Sequence, residues 1–527
     1  MSPNYLSPGV YVEEVDKGMK PIEAVGTAVA AFVGYTEKAS DVRDGEVVSL
    51  LGKPTLVTNW SQFVAKFDSF VSGAYLPDAV YGYFNNGGST CYIVSIKTLG
   101  ASDDPELATP AKAIVSGADG KSANLLEFTA KQGGPSGNGL RVEVKVPEGK
   151  SEDGKELAPT DFTLVVTLNG QVMETFDGLT TGKGENNVET VVKTRSKLID
   201  VKVTGKGEII PAAGTYQLEG GEIKTKSITL KDYQGSVAER RGIGGLEPLD
   251  DVTMICVPDL MSSYQAGEID MKGVQAVQQA VIDYCENVRY CFAILDCPPG
   301  LMPQEMKEWR NTVNYDSTRA ALYYPWIETA DLTGNNGRTR LVPPSGHIAG
   351  IYARVDGTRG VHKAPANEVV RGALGLEVTV TKGEHDTLNP IGVNVIRSFP
   401  GRGIRVWGGR TLSSDASWRY INVRRLFSMI EESIERGTQW VVFEPNDRDL
   451  WSRVRRDVTA FLTLVWRSGA LFGSTPEQAF YVKCDEETNP PEVRDAGQLI
   501  VEVGICPVKP AEFVIFRISQ WAGPSSE

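Results

Sequence analysis

The sequence predicts an α/β (α+β multidomain) protein: mixed-sheet core domains with an inserted mostly-β domain and extended N- and C-terminal arms. Three observations predict it. Short, continuously apolar runs such as TAVAAFVGY (Thr27–Tyr35), DVTMICVP (Asp251–Pro258) and YCFAILD (Tyr290–Asp296) read as strands buried on both faces. Amphipathic helices separate them, the order expected of a parallel or mixed sheet. Between them, residues 100–240 change to alternating strands joined by Gly-, Lys-, Thr- and Glu-rich loops. Both ends carry strand-like apolar residues without helical periodicity. The division is an arm at 1–25, a middle α/β domain at 26–99 plus 241–345, the insertion at 100–240, a C-terminal domain at 346–505 and an arm at 506–527.

In order along the chain, YLSPGVYVEEVDKGMKPIEAV (Tyr5–Val25) holds two prolines, two glycines and a short strand signal at Val10–Val15. It has too few apolar residues for a core of its own. Leu56–Phe67 reads as a loop and helix capped at Asn59 or Ser61, Leu76–Phe84 as a helix stopped by Asn85–Gly88, and Thr90–Ile96 as a strand. In the insertion, Leu125–Ala130, Leu140–Val146, Phe162–Leu168 and Ser227–Leu230 read as strands. Val274–Asn287 is an amphipathic helix and Leu322–Trp326 a further strand end.

Val395–Glu444 reads as strand, Gly-rich turn, strand, long helix, strand. Ser413, Ser414 and Asp415 offer N-caps. Tyr420, Val423, Phe427, Ile430 and Ile434 form one apolar stripe. Gly437 sits where a left-handed C-terminal residue is expected, and Trp440–Phe443 reads as a buried strand. A second helix over Asp449–Leu471 buries Leu450, Val454, Val458, Phe461 and Val465, with Arg448, Arg455 and Arg456 off that stripe. Ala479–Lys483 and Leu499–Ile505 are strands. The end, FVIFRISQW (Phe513–Trp521), is apolar on both strand faces: Val514, Phe516 and Ile518 on one, Phe513, Ile515 and Trp521 on the other. A strand of this kind needs pairing on both sides and cover.

At 527 residues the chain exceeds one core and implies several domains. A formal net charge of -13 argues against general nucleic-acid binding. Residues 301–471 depart from that balance, with 23 Lys+Arg against 18 Asp+Glu, so part of this half suits an acidic partner. MSPNYLSPGVYVEE has neither the basic start nor the apolar core of a signal peptide. The longest apolar run, near Ala28–Tyr35, is far short of the roughly 20 residues a membrane span needs. Seven scattered Cys, several in apolar strands, read as buried thiols rather than disulfides. With three His and no metal-ligand spacing, neither metal nor cofactor is expected.

Reaction chemistry has few candidates. Asp259 and Asp296 each follow an apolar strand, where α/β enzymes keep catalytic carboxylates, but the same positions suit capping. GGPSGNG (Gly133–Gly139) lacks a P-loop's GK[ST] ending and precedes a strand, so it reads as a turn. His362 lies near Asp356 and Arg359 in DGTRGVHKAPAN, either an acid/base trio or a polar loop. A soluble α/β enzyme using Asp259, Asp296 or His362 is the alternative reading.

The ordered combination of segments carries more. SPGVYVEEVD (Ser7–Asp16), TAVAAFVGYTEKA (Thr27–Ala39), YFNNGGSTCYIVSI (Tyr83–Ile96), LEPLDDVTMICVPDL (Leu246–Leu260), GHIAGIYARVDGTRGVHKAPAN (Gly346–Asn367), LWSRVRRDVTAFLTLVWRSGALFG (Leu450–Gly473), AFYVKCDEETN (Ala479–Asn489) and PAEFVIFRISQ (Pro510–Gln520) stand in the order seen in one family. The chain resembles contractile tail sheath proteins of phages over about two thirds of its length, least over 100–240.

That resemblance implies a structural, non-enzymatic subunit. Many copies would polymerise helically around an inner tube and contract to drive it through a target envelope. Terminal arms would add strands to neighbours' C-terminal domains, a β-augmentation. Val10, Tyr11, Val12 and Val15 and Phe513, Val514, Ile515, Phe516, Ile518 and Trp521 are then the strand-exchange residues. Because the family turns its C-terminal domain inward, Arg448, Arg455 and Arg456 become candidate tube contacts. The implied partners are copies of itself, an inner tube protein, and baseplate and tail-terminator or cap proteins, with no nucleic acid and no membrane insertion. Assembly would occur in the bacterial cytoplasm, into a phage tail, a tailocin or a phage-like contractile injection particle. A type VI secretion sheath divides these segments between two proteins, whereas this single chain carries both halves.

Overall fold

The computed structural model describes residues 21–520, apart from 44–45, 101–107, 121, 148, 151–155, 158–159, 169, 206–207, 224–226 and 334–337. Contacts divide these residues into two compact units. One comprises Ala28–Arg354 with Pro365–Asp415; the other comprises residues 21–27, 355–364 and 416–520.

The first unit is built on a nine-stranded sheet. Its strands are β1 (Ala30–Thr36), β2 (Thr55–Val57), β3 (Cys91–Thr98), β4 (Met254–Cys256), β5 (Phe292–Asp296), β6 (Ala320–Tyr324), β7 (Glu368–Val369), β8 (Val393–Phe399) and β9 (Gly403–Val406). They lie in the order β7-β9-β8-β6-β5-β4-β1-β3-β2. The six strands from β8 to β3 are parallel to their neighbours; β2, β9 and β7 pair antiparallel at the edges. A parallel core must be covered on both faces, which is why every residue of β1, β4, β5 and β6 is buried. The expected α+β architecture is therefore present, with β7, β8 and β9 drawn from residues that the sequence grouped with the C-terminal domain.

Helix α1 (Leu76–Asn86) packs on β1, and α2 (Met271–Val288) buries Val274, Val277 and Val281. Helix α3 (Ser345–Arg359) approaches α1 closely: a Cβ at Gly346 would lie 2.3 Å from the Ala79 backbone. His347 is sealed into this contact, and burial lowers its imidazole to about 4.

Residues 108–223 form two four-stranded antiparallel sheets. One runs Gln171–Leu179, Phe162–Leu168, Leu140–Lys145, Gly214–Gln217; the other runs Ile199–Val203, Leu126–Gly133, Ala108–Val115, Glu222–Ile223. A separate core that includes Phe128, Val142, Leu164 and Val166 joins them. Ser227–Leu230 is not a strand. Thr229 instead caps the short helix Leu230–Gln234, with Asp232 bonding back to its N–H and hydroxyl.

The second unit packs α4 (Ile421–Gly437) and α5 (Arg448–Arg467) with the antiparallel pair β10 (Phe480–Lys483) and β11 (Glu502–Ile505). Both helices lie where their stripes predict, and all five stripe residues of α5 are buried. Three local expectations fail. The N-cap of α4 is Tyr420, while Ser414 is turned to Asp316. Gly437 is the last helical residue rather than a left-handed cap; it is small because Ile22 lies on it. Trp440–Phe443 is no strand: Gln439–Val441 is a 3-10 turn, and Phe443 is fully exposed at φ 66°. No described helix is long and apolar enough to cross a membrane.

Candidate assembly site

Among the described residues β10 and β11 form a sheet of only two strands, too small to be stable alone. It is held on α5 through Phe480 and the α5 stripe. The carboxamide of Asn489 fixes the approach to β11, donating to the Ile500 carbonyl (3.0 Å) and accepting from its N–H (2.7 Å). Beside this segment runs a groove of about 650 Å³, lined by Leu450, Val454 and Val458 of α5 and by Leu499, Val501 and Val503. Leu499 and Val501 precede β11 and Val503 lies in it, alternate residues of one segment; with the α5 residues at i, i+4, i+8 they give the groove two apolar walls.

The ends of the chain are rooted on α4. Ile22 is buried against Gly437, the Val25 N–H donates to Ser433 Oγ (3.0 Å), and Thr27 reaches Asp356. So the part of the expected N-terminal arm from Ile22 onward is docked on its own subunit. Val10, Tyr11, Val12 and Val15 lie outside the described residues. After β11 the chain stays attached as far as Glu512. The Val508 N–H donates to the Ala470 carbonyl (3.1 Å), the Val508 carbonyl accepts from Asn422 Nδ2 (3.2 Å), and the Tyr420 hydroxyl donates to Glu512 (3.0 Å).

Beyond Glu512 the attachment ends. Phe513, Val514, Ile515, Phe516 and Ile518 are 70%, 69%, 78%, 83% and 96% exposed. None of them lies in a strand, and Trp521 is outside the described residues.

Between the two roots lies a buried ion pair. Arg425 and Asp356, both 6% exposed, meet in a two-pronged contact of 3.0 and 2.6 Å. The Thr27 hydroxyl donates to the same carboxylate (2.7 Å), and Arg425 Nη2 donates to the Thr27 carbonyl (2.8 Å). Sequence reading missed this group because periodicity reports one helix at a time. The available signal was a pair of arginines, Arg424 and Arg425, inside a stripe of buried residues. Arg424 lies over the Trp418 ring at 4.3 Å and pairs with Glu431.

Arg448, Arg455 and Arg456 are all exposed on α5 and each already has a partner. Arg448 pairs with Glu486, Arg456 with Asp457 (3.1 Å), and Arg455 donates to the Cys484 carbonyl (3.2 Å).

The candidates for chemistry are absorbed by the scaffold. Asp259 is fully buried and accepts from the backbone N–H groups of Tyr35 (2.6 Å), Tyr75 (2.5 Å) and Leu76 (3.1 Å) and from the Ser262 hydroxyl (2.9 Å). Burial pushes its carboxyl up to about 6 against the pull of those bonds. Asp296, pushed by burial to about 7, accepts from the Ser345 N–H (2.8 Å) at the start of α3. Around His362, Asp356 is committed to Arg425 and Thr27, while burial and then Arg359 lower the imidazole. Asp259 and Asp296 thus hold the starts of α1 and α3 through backbone N–H groups.

The family model described as the phage tail sheath protein central domain matches residues 249–412, and the one described as the phage tail sheath C-terminal domain matches residues 413–520. The chain belongs to the phage tail sheath family. The tail sheath protein of Vibrio phage KVP40 is 27% identical over 379 residues, 67% of this chain and 54% of that one. This match thus spans about half the length of the phage protein. The tail sheath protein of Burkholderia phage BcepMu is 24% identical over 532 residues, 95% of this chain and 94% of that one. Among solved structures, the anti-feeding prophage helical sheath in its contracted state matches with a TM-score of 0.57 at 24% identity, over 98% of this chain and 99% of that one. It shares the sheath fold.

Proposed function

We propose that this chain is a structural, non-enzymatic subunit of a contractile tail sheath. Copies polymerise helically around an inner tube and contract to drive that tube through a target envelope, linked by strand exchange of their terminal arms. The observation that carries this reading is an unfinished surface matched by a surplus apolar segment. Phe513–Ile518 lies apolar and exposed just past a firm root, while a two-stranded sheet presents an apolar groove along β11. A segment of that kind, seated beside β11 of a neighbour, gains backbone hydrogen bonds of about 1 kcal/mol each. It also buries Phe513, Phe516 and Ile518, at about 1.5–3 kcal/mol for each side chain fully covered.

The arm at residues 1–20 is the second donor in this reading. Arg448, Arg455 and Arg456 face the tube, exchanging intrachain partners for acidic groups on it. Baseplate and terminator or cap proteins close the ends of the polymer, which assembles in the bacterial cytoplasm. Electron microscopy of the purified protein with and without its tube protein tests the reading. Striated hollow cylinders of helical order are expected; discrete globular particles under both conditions would overturn it.

A further inference from the structure

The two arm roots converge. From Ile22 to Thr27 is five extended steps, about 17 Å. From Gly437, under Ile22, to Arg425, at Thr27, is twelve helical steps, about 18 Å. The agreement means that residues 22–27 run extended and antiparallel along α4, with Val25 on Ser433 between the two ends. A pull applied at residue 21 therefore reaches Thr27 along the helix axis and loads these contacts together, in shear.

The other root meets α4 three residues away, on the same face. Asn422 Nδ2 donates to the Val508 carbonyl (3.2 Å) and to the His362 carbonyl (2.7 Å). Asp356 and His362 both belong to the short segment 355–364, so one segment braces both roots.

We infer that Asn422 and Arg425 of α4, with Asp356 and Thr27, form the mechanical junction through which load passes between the two terminal arms of a subunit. This rests on the sheath reading only for the origin of the load. The chemistry suits the task. Apolar contacts are non-directional and slide at little cost, whereas a guanidinium fork on a carboxylate fixes register. Burial at 6% exposure excludes the water and salt that would otherwise weaken such a pair. The path from Glu512 through Tyr420, Val508, Asn422, Arg425 and Thr27 to Ile22 avoids both α5 and the β10–β11 pair. Domain faces and the acceptor sheet can then repack while the arms stay tied.

The test is constant-force pulling on single full-length subunits tethered at residues 21 and 513. Asp356→Asn removes the charge that balances the buried Arg425 and should shorten the lifetime of the arm roots under load by about a hundredfold. Thr27→Val, which removes one hydroxyl at constant volume, should shorten it by about tenfold. Leu462→Ala, a core truncation in α5 outside the groove and off this path, serves as the control at similar loss of thermal midpoint and should leave the lifetime close to that of the parent. Equal shortening by Leu462→Ala and Asp356→Asn, or no shortening by Thr27→Val, would overturn the inference. Thr27→Val keeps the test informative should Asp356→Asn not fold. Because pulling needs no polymer, failure to form cylinders would refute the sheath reading and leave this result standing.

Discussion

The nine-stranded sheet and the β10–β11 pair lie in one chain and solve the problem of strand edges in opposite ways. The large sheet ends in short antiparallel strands, β2 and β7, of three and two residues, which offer little to an incoming strand. Its interior is finished: Asp259 alone satisfies three backbone N–H groups from two other segments. Among the described residues the small sheet stops at two strands, borders an apolar groove and lies in the unit that exposes Phe513–Ile518. The first region folds to satisfy itself; in the proposed reading the second is completed by others. Stability and assembly should therefore respond to different residues.

Deleting residues 513–527 should have the largest effect. Sedimentation is expected to show a folded monomer with the parent's thermal midpoint and no sheath in the presence of tube. Sheaths of normal length would erase the contrast between the two regions. The converse change is Asp259→Ala, which strands three backbone donors in a dry interior. It should cost on the order of 3–5 kcal/mol in denaturant unfolding, with loss of the nine-stranded unit.

A pH series sharpens the comparison further. Burial raises Asp78 to about 7, Asp259 to about 6 and Asp296 to about 7, all in the first unit and all above the unfolded value near 3.9. Over this range the native state holds protons that the unfolded chain has lost. The stability these groups contribute is full below about pH 4 and is lost as pH rises through 6 to 7. His347, lowered to about 4, acts in the opposite sense below about 6.5, one group against three. Unfolding free energy of the first unit should thus fall from pH 5 to pH 7.5, and Asp296→Asn should flatten the slope. The smallest effect belongs to the triple charge reversal of Arg448, Arg455 and Arg456 to Glu. These exposed pairs are worth about 0–1 kcal/mol each, so monomer stability should barely move while assembly on the tube weakens, measured as sheath length.

Much of this architecture was legible because burial leaves a local signature. The runs Ala30–Tyr35 and Phe292–Leu295 show no polar alternation because both faces are covered. Leu450, Val454, Val458, Phe461 and Val465 repeat at the helical period because one face of α5 is. Trp440–Phe443 misled because an exposed apolar turn and a buried strand have the same composition. Ser227–Leu230 misled because Thr229 and Asp232 form a capping box inside an alternating stretch. The junction on α4 was illegible for a different reason. Arg425 and Asp356 are 69 residues apart, and Arg425 and Thr27 are 398 apart, so nothing local marks either contact. The apolar character of Phe513–Ile518 was plain from sequence; its exposure in the single subunit is what the structure adds.

The most direct test of the central claim is a cysteine cross-link between the exposed apolar segment and the groove. Ile515→Cys and Val501→Cys, placed singly in two subunit preparations that are mixed and assembled on tube, should join under mild oxidation into covalent dimers only when sheath forms. In the doubly substituted subunit they should give a ladder of higher multimers. Cylinders that assemble normally yet yield no cross-link between these positions would contradict the account.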